Sequence, residues 1–347
     1  MKGALAVPGD INTVTGGYIY DKRVLHELRK ANHAIAHIAL PGSFPNPTRA
    51  DMDEAFLRLA SGADHGPVII DGLAYGALDP ARVAQLQTPI IALVHHPLAL
   101  ENGLDPARGQ SLFETEKANL SVAAHVIVPS PHTAALLTRD YGVSAERITI
   151  ARPGTDRPSR PAAPSSPPLI LSVGIQMPRK GHDVLLQALA KIVDLEWHAT
   201  IVGARLDEAY ALKLEAMRRD LNLAQRVTLA GQVDDKTLAE LYQTASLFAL
   251  STRFEGYGIV FDEAMVHGLP IVSCRTGAVP DTVPADAGLL VAVDAPHDFA
   301  AALRLLLTDE AKRQAAAAAS HAAGAALPDW SETADAFVRA LYAVENR

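Results

Sequence analysis

Apolar runs of strand length recur along the chain, with helical spacing between them. In the first half they fall at 3–8, 34–40, 68–71, 89–95, 124–129 and 147–151; in the second, at 169–174, 199–203, 227–231, 247–251, 270–274 and 288–293. Few of these runs alternate polar with apolar positions, so the strands are expected to be buried on both faces, as in parallel sheets. Between them, 182–192 puts Val184, Leu185, Ala188, Leu189 and Ile192 on one helical face. The tail repeats that spacing at Ala334, Phe337, Val338, Leu341 and Tyr342, while the alanine-rich tract 315–326 reads as a helix surface carrying little information. Strand and helix in alternation predict an α/β protein of two doubly wound, Rossmann-like domains. The proline-rich segment 153–169 can form neither element and reads as the linker between them.

Composition narrows the class. With 347 residues, 49% hydrophobic and 20% charged, two globular cores are expected. The net charge of −8 and the lack of a basic half argue against a nucleic-acid partner. The single cysteine, Cys274, lies in an apolar run and reads as a core thiol; it excludes an intrachain disulfide. The start, with its short apolar run broken by Pro8, does not read as a signal peptide, and no run reaches the 18 residues of a membrane helix. A cytoplasmic protein without a membrane span is expected, with peripheral membrane contact left open.

Ligands of doubly wound sheets bind beyond the carboxyl ends of the strands, and with two such domains a cleft is the expected site. Residues just after strands are therefore the candidates. The segment 254–270, "FEGYGIVFDEAMVHGLP", follows the run 247–251. Its Gly256 and Gly258 allow a turn and a close ligand approach, and a helix starting near Ile259 would turn its free amides and positive dipole end to a phosphate. Glu255 would then grip a sugar, and Glu263, one turn in, a ribose diol. The alternative is that Glu255 caps the helix and Glu263 is solvated; the segment alone does not separate the two. Lys180, before Gly181 at a helix mouth, is placed to offset diphosphate charge or else is an exposed loop lysine. Gly16 and Gly17 open a helix in the first half, and His95 and His96 end the run 89–95. His33 and His37 have helical metal spacing but flank a strand, so no zinc site is expected.

Together and in this order, "EGYGIVFDE" (255–263), "RKGHDVLLQAL" (179–189) and "GLPIVSCRTGAVPDTV" (268–283) with "GLLV" after it resemble the family 4 retaining glycosyltransferases of the GT-B fold. The likeness extends to 130–156 and to "DWSETADAF" (329–337), which resembles the family's C-terminal helix crossing back to the first domain. It implies a first domain of 1–155 plus 328–347 for the acceptor, a linker at 156–168, and a nucleotide-sugar domain at 169–327. It implies Glu255 on donor-sugar hydroxyls, Glu263 on ribose, Lys180 on diphosphate and His95 beside the sugar. The implied donor-binding set is Gly17, Gly174, Val233, Gly256, Tyr257, Gly258, Ile259, Val260 and Glu263, with no cofactor and no metal.

The sequence departs from the family at Ile175, where an arginine usually follows Gly174, and more mildly at Asp281, where glutamate is frequent. Among Arg179, Arg205 and Arg253, the last, two residues before Glu255, is the preferred replacement and joins His95, Lys180 and Glu255 as a catalytic candidate. The expected activity is metal-independent transfer of a hexosyl group from a nucleotide-diphosphate sugar to an acceptor hydroxyl with anomeric retention. The acceptor stays open. The alternatives are a sugar epimerase on the same scaffold, or a non-catalytic nucleotide-sugar-binding protein, which Ile175 favours.

Overall fold

The structure, a computed structural model, describes residues 1–62, 65–101 and 103–345. The chain forms two compact units, Met1–Gly154 with Pro328–Arg347, and Thr155–Leu327. Each is built on a parallel six-stranded sheet.

In the first unit the strands are β1 (Lys2–Pro8), β2 (Ala34–Leu40), β3 (Val68–Asp71), β4 (Ile90–Leu93), β5 (His125–Val128) and β6 (Ile148–Ile150), in the order β2-β1-β3-β4-β5-β6. The order reverses between β1 and β3, and an open sheet offers its ligand crevice at that point. β1, β3, β4 and β5 are buried almost throughout. The C-terminal helix Trp330–Glu345 belongs to this unit. Its Trp330 and Phe337 rings each lie 5.9 Å from the Tyr20 ring on helix Gly16–Lys30, and Thr333 donates to the Arg152 carbonyl at 2.7 Å.

In the second unit, β7 (Leu169–Val173), β8 (His198–Val202), β9 (Val227–Gly231), β10 (Leu247–Leu250), β11 (Ile271–Cys274) and β12 (Gly288–Val291) run in the order β12-β11-β10-β7-β8-β9. Here the reversal falls between β7 and β10, the strands that precede Lys180 and Glu255. Cys274 is fully buried, and burial pushes its thiol up to about 12.

Residues 156–168 have neither helix nor strand, and they are tied to the second unit. The amides of Ala163 and Ser165 bond the Gln243 and Thr244 carbonyls at 2.8 and 2.9 Å, and Arg157 donates to the Gly324 and Leu327 carbonyls. The alanine-rich tract departs from its expected role as mere surface. It forms helix Glu310–Ala325, which packs on helix Ile259–Val266. A Cβ on Gly324 would stand 2.4 Å from the Met265 carbonyl oxygen, and buried Ser320 bonds the Leu269 carbonyl at 2.7 Å. Small residues are what permit that approach, and they brace the helix that carries Glu263.

Candidate active site

The singled-out residues form two sets, one in each unit. In the second unit, Glu255 follows β10 and is 4% exposed. Lys180 Nζ donates to its Oε1 at 2.7 Å, Thr252 Oγ1 donates to the same oxygen at 3.0 Å, and Arg179 Nη1 lies 3.6 Å from its Oε2. Burial pushes the Glu255 carboxyl up, but the Lys180 ammonium and the Arg179 guanidinium outweigh it and hold the group below its ordinary range. The carboxylate is therefore ionised and clasped by two cations at the reversal point of the sheet.

Helix Ile259–Val266 starts after Gly258, whose φ of 90° lies in the left-handed region and which has no side-chain cap. Any Cβ there would also meet the Phe261 ring at 2.6 Å, so glycine is required. Glu255 thus does not cap this helix, and the amides of Ile259 and Val260 lack acceptors within it. Tyr257 is buried, with its hydroxyl on Asp262 Oδ2 at 2.6 Å.

Glu263 is partly buried and accepts from the Tyr242 hydroxyl at 2.6 Å. Burial pushes its carboxyl up to about 7, with the Tyr242 bond opposing. That is neither a freely solvated glutamate nor a fully ionised one. Val233 stands two residues past β9, and Gly174 directly follows β7, where a Cβ would meet the Lys180 side chain at 3.2 Å.

The structure gives Arg253 partners other than Glu255. All three guanidinium nitrogens of Arg253 are engaged by neighbours: Nη1 and Nη2 on Asp183 at 3.1 and 3.2 Å, Nε on Asp294 at 2.8 Å, and Nη1 also on the Pro178 carbonyl. Burial pushes Asp183 up, yet bonds from Arg253 and Tyr210 hold it down at about 2, so this fork stays charged. Arg253 ties loops together. Arg205 pairs with Glu208 and Glu215 near the surface. Arg179 is the arginine beside Glu255, and its Nη1 also bonds the Phe254 carbonyl at 3.0 Å.

In the first unit, His95 Nε2 lies 3.0 Å from Asp21 Oδ1 and 3.4 Å from Asp71 Oδ2. Both carboxylates are buried, while the His95 side chain is 20% exposed. Burial lowers the imidazole's proton affinity, but the two carboxylates more than reverse this and raise it well above the ordinary value. A Cβ on Gly17 would stand 3.4 Å from the His95 ring, and Tyr20 meets the ring edge-on at 5.2 Å. His96 is separate, with Nε2 3.1 Å from Glu101. The ligand atoms of Asp21, Asp71 and His95 lie within 4.8 Å of one another, close enough to hold a metal ion, with His95 Nε2 within 3.4 Å of both carboxylates.

Reading the sequence missed Asp21, Asp71, Thr252 and Tyr242. Asp71 ends β3 and passes the after-strand filter. Asp21 lies inside a helix and gives no such signal.

Two family models match in tandem: residues 20–157 match Glycosyltransferase Family 4, and residues 155–322 match Glycosyl transferases group 1. A D-inositol 3-phosphate glycosyltransferase of Thermobifida fusca is 27% identical over 279 residues, covering 72% of this chain and 64% of its own length. A D-inositol 3-phosphate glycosyltransferase 2 of Catenulispora acidiphila is 31% identical over 259 residues, covering 69% and 60%. The chain thus spans under two thirds of these relatives. Among solved structures, a sucrose-phosphate synthase from Thermosynechococcus elongatus superposes with TM-score 0.82 at 21% identity over 97% of this chain and 98% of the other. HepE of Anabaena in complex with UDP-glucose superposes with TM-score 0.80 at 18% identity over 98% and 99%. With these two sheets and these tandem matches, the chain belongs to the family 4 glycosyltransferases and has the GT-B fold.

Proposed function

We propose that this protein transfers a hexosyl group from a nucleoside-diphosphate sugar to an acceptor hydroxyl, with retention and without a metal. The observation that carries the reading is the Glu255 carboxylate, buried between Lys180 and Arg179 beside the uncapped helix start at Ile259. Two cations against one carboxylate leave net positive charge at the sheet's reversal point. Preorganised charge of this kind stabilises a departing diphosphate. Lys180 and Arg179 serve the leaving group together with the Ile259 and Val260 amides, so a cation from the solvent is not needed.

Glu255 then accepts hydrogen bonds from sugar hydroxyls. Held ionised by two cations, it is a poor nucleophile, so attack by the acceptor from the diphosphate's own face is the route to retention that fits it. Glu263 accepts from the ribose, and the Val233 backbone meets the base. His95, kept protonated by Asp21 and Asp71, is a donor and a positive charge for the transferred sugar. The complex of HepE with UDP-glucose makes uridine diphosphate sugars the first donors to try.

Ile175 favours the rival reading, a binding protein without turnover, because one family cation is missing. Arg179 answers it, since it supplies a guanidinium to the same carboxylate. The test is hydrolysis and transfer with uridine, guanosine and adenosine diphosphate hexoses, the product anomer being read by NMR. Slow release of sugar with the donor's own configuration is expected. An inverted product would reject retention, and tight donor binding with no sugar released would favour the rival.

A further inference from the structure

The loop after β2 took no role in the donor reading, yet it walls a cavity of about 360 Å³ in the first unit. That volume lies at the small end of ligand sites. Helix Pro106–Val122 supplies one wall through Arg108, Leu112 and Thr115, which share a face at i, i+4 and i+7. Asn46, Pro47 and Met52 come from the opposite side and Ala77 closes it.

The loop is tied to the following helix start by its own bonds. Asp51 accepts from Ser43 Oγ at 2.8 Å, Thr48 Oγ1 at 2.7 Å and the Thr48 amide at 3.1 Å, while the Asp51 amide bonds Thr48 Oγ1 at 3.2 Å. This is a reciprocal cap that fixes where helix Arg49–Gly62 begins. Asp51 is spent there.

Arg108 is the chemically pointed residue. Its Nη2 donates to the Pro45 carbonyl at 2.7 Å and to Asn46 Oδ1 at 2.9 Å, which anchors the guanidinium on the loop. Among the described residues, Nε and Nη1 have no acceptor, and no carboxylate lies within ion-pair range of the group, whereas Arg58, Arg82 and Arg139 of the same unit are all paired. A half-buried guanidinium with two free donor nitrogens suits one planar or tetrahedral oxyanion. Beside it, Thr115 offers a hydroxyl, and Pro47, Met52, Ala77 and Leu112 offer an apolar floor. The buried acid next along the helix, Glu116, does not oppose an anion at neutral pH, because burial pushes its carboxyl up to about 8.

Sequence neighbours of two cavity-lining residues, Ala77 and Thr115, touch the segment that follows His95. A Cβ on Gly76, the neighbour of Ala77, would meet Leu98 at 2.8 Å and Glu116 Oε1 at 3.0 Å, and Glu116 accepts from the Leu98 amide at 3.1 Å, three residues after His95. We propose that this cavity binds the acid group, a carboxylate or phosphate, of a small hydroxylated acceptor, with Arg108 as the anion-binding residue. The proposal rests on the transferase reading for the word acceptor, and on the cavity alone for the anion.

Calorimetric titration of the full chain with glycerol 3-phosphate, glycerate, inorganic phosphate and uncharged glycerol tests it. The acids should bind saturably and glycerol should not. Losing two charge-assisted bonds in Arg108→Ala should weaken the acids by roughly tenfold to a hundredfold. Arg108→Gln, which keeps a donor for the Pro45 carbonyl, should show a similar loss in a chain whose loop stays anchored. The paired surface residue Arg304 gives a control, and Arg304→Ala should bind like wild type. Equal affinity in wild type and both Arg108 variants, or no saturable binding of any acid, overturns the site. Nucleoside diphosphate binding by wild type is read separately by thermal shift. A chain that takes the acids but no nucleotide keeps the anion site and loses the transferase reading, and the reverse result does the opposite.

Discussion

Replacing Lys180 by alanine separates a structural role from a chemical one. The Lys180 and Glu255 side chains are 11% and 5% exposed and 2.7 Å apart. At an effective dielectric of about 20 the attraction at that distance is on the order of 6 kcal/mol, against about 5 kcal/mol for Arg179 at the longer separation. Those are attractions before the cost of burying the ions is subtracted. Breaking a buried pair from one side typically costs about 3–5 kcal/mol. Because Arg179 and Thr252 remain on Glu255, the lower end applies, and Lys180→Ala should lose about 3 kcal/mol in urea unfolding. Adding Glu255→Gln removes the stranded charge and should return most of that loss. Turnover behaves differently. If Lys180 stabilises the departing diphosphate, it contributes about 2.7–4 kcal/mol to the barrier independently of Glu255. The double variant should then be slower than Glu255→Gln alone, in a cycle read by steady-state kinetics. Equal turnover in those two chains would show that Lys180 only holds Glu255 in place, and unchanged stability in Lys180→Ala would refute the charge argument itself.

Glu263, with its folded value raised to about 7, ionises late: the folded chain loses stability as pH rises from the ordinary carboxylate range to about 7, while nucleotide affinity should rise through the same window. Glu263→Gln should flatten the pH dependence of nucleoside diphosphate binding; an unchanged slope would take Glu263 out of the ribose contact. Chelation by EDTA should leave turnover unaltered, and a loss restored by a divalent ion would instead put a metal on Asp21, Asp71 and His95. Arg179→Ala should cut turnover nearly as far as Lys180→Ala with nucleoside affinity little changed, whereas Arg253→Ala should act mainly by lowering thermal stability. The opposite pattern in those two chains would return Arg253 to the diphosphate.

The architecture was legible because buried parallel strands are written as continuous apolar runs, so β1 through β12 appear within a residue or two of where the runs lie, with β4 the most shortened. The positions of Lys180, Glu255 and His95 followed from strand ends. What a strand-end filter cannot show is which partner a long side chain reaches. Arg253 is two residues from Glu255 in sequence, yet Asp183 and Asp294, at distances of 70 and 41 residues along the chain, take its guanidinium. Asp21 was hidden for a similar reason: it is a helix residue followed by Lys22 and Arg23, which makes it read as part of a charged surface, and only packing turns it toward His95. The alanine tract was misjudged because propensity says that a helix forms and is silent about the neighbour it meets, here Met265 beside Gly324.

The missing arginine at Ile175 becomes intelligible once the loops are taken together. The Glu255 loop is clasped by backbone: a Cβ on Gly277, at φ 50°, would lie 2.2 Å from the Glu255 carbonyl oxygen, and the Ala278 amide bonds that oxygen at 2.9 Å. Thr276 Oγ1 holds the Arg253 carbonyl at 2.9 Å, and the Arg253 amide holds the Arg179 carbonyl at 2.8 Å. Arg253 then joins Asp183, on the helix that Lys180 precedes, to Asp294, beyond β12. The segment bearing Arg179 and Lys180 is therefore fixed to the loop bearing Glu255 by a main-chain bond, with Arg253 as a side-chain tie around it. A guanidinium entering from position 179 on so constrained a segment needs little ordering on binding, which is the condition for charge to act by preorganisation. One cation delivered from the far end of the same loop can thus stand in for one delivered from its start. Under the proposed transferase reading, Ile175 would mark a relocated charge and not a lost one.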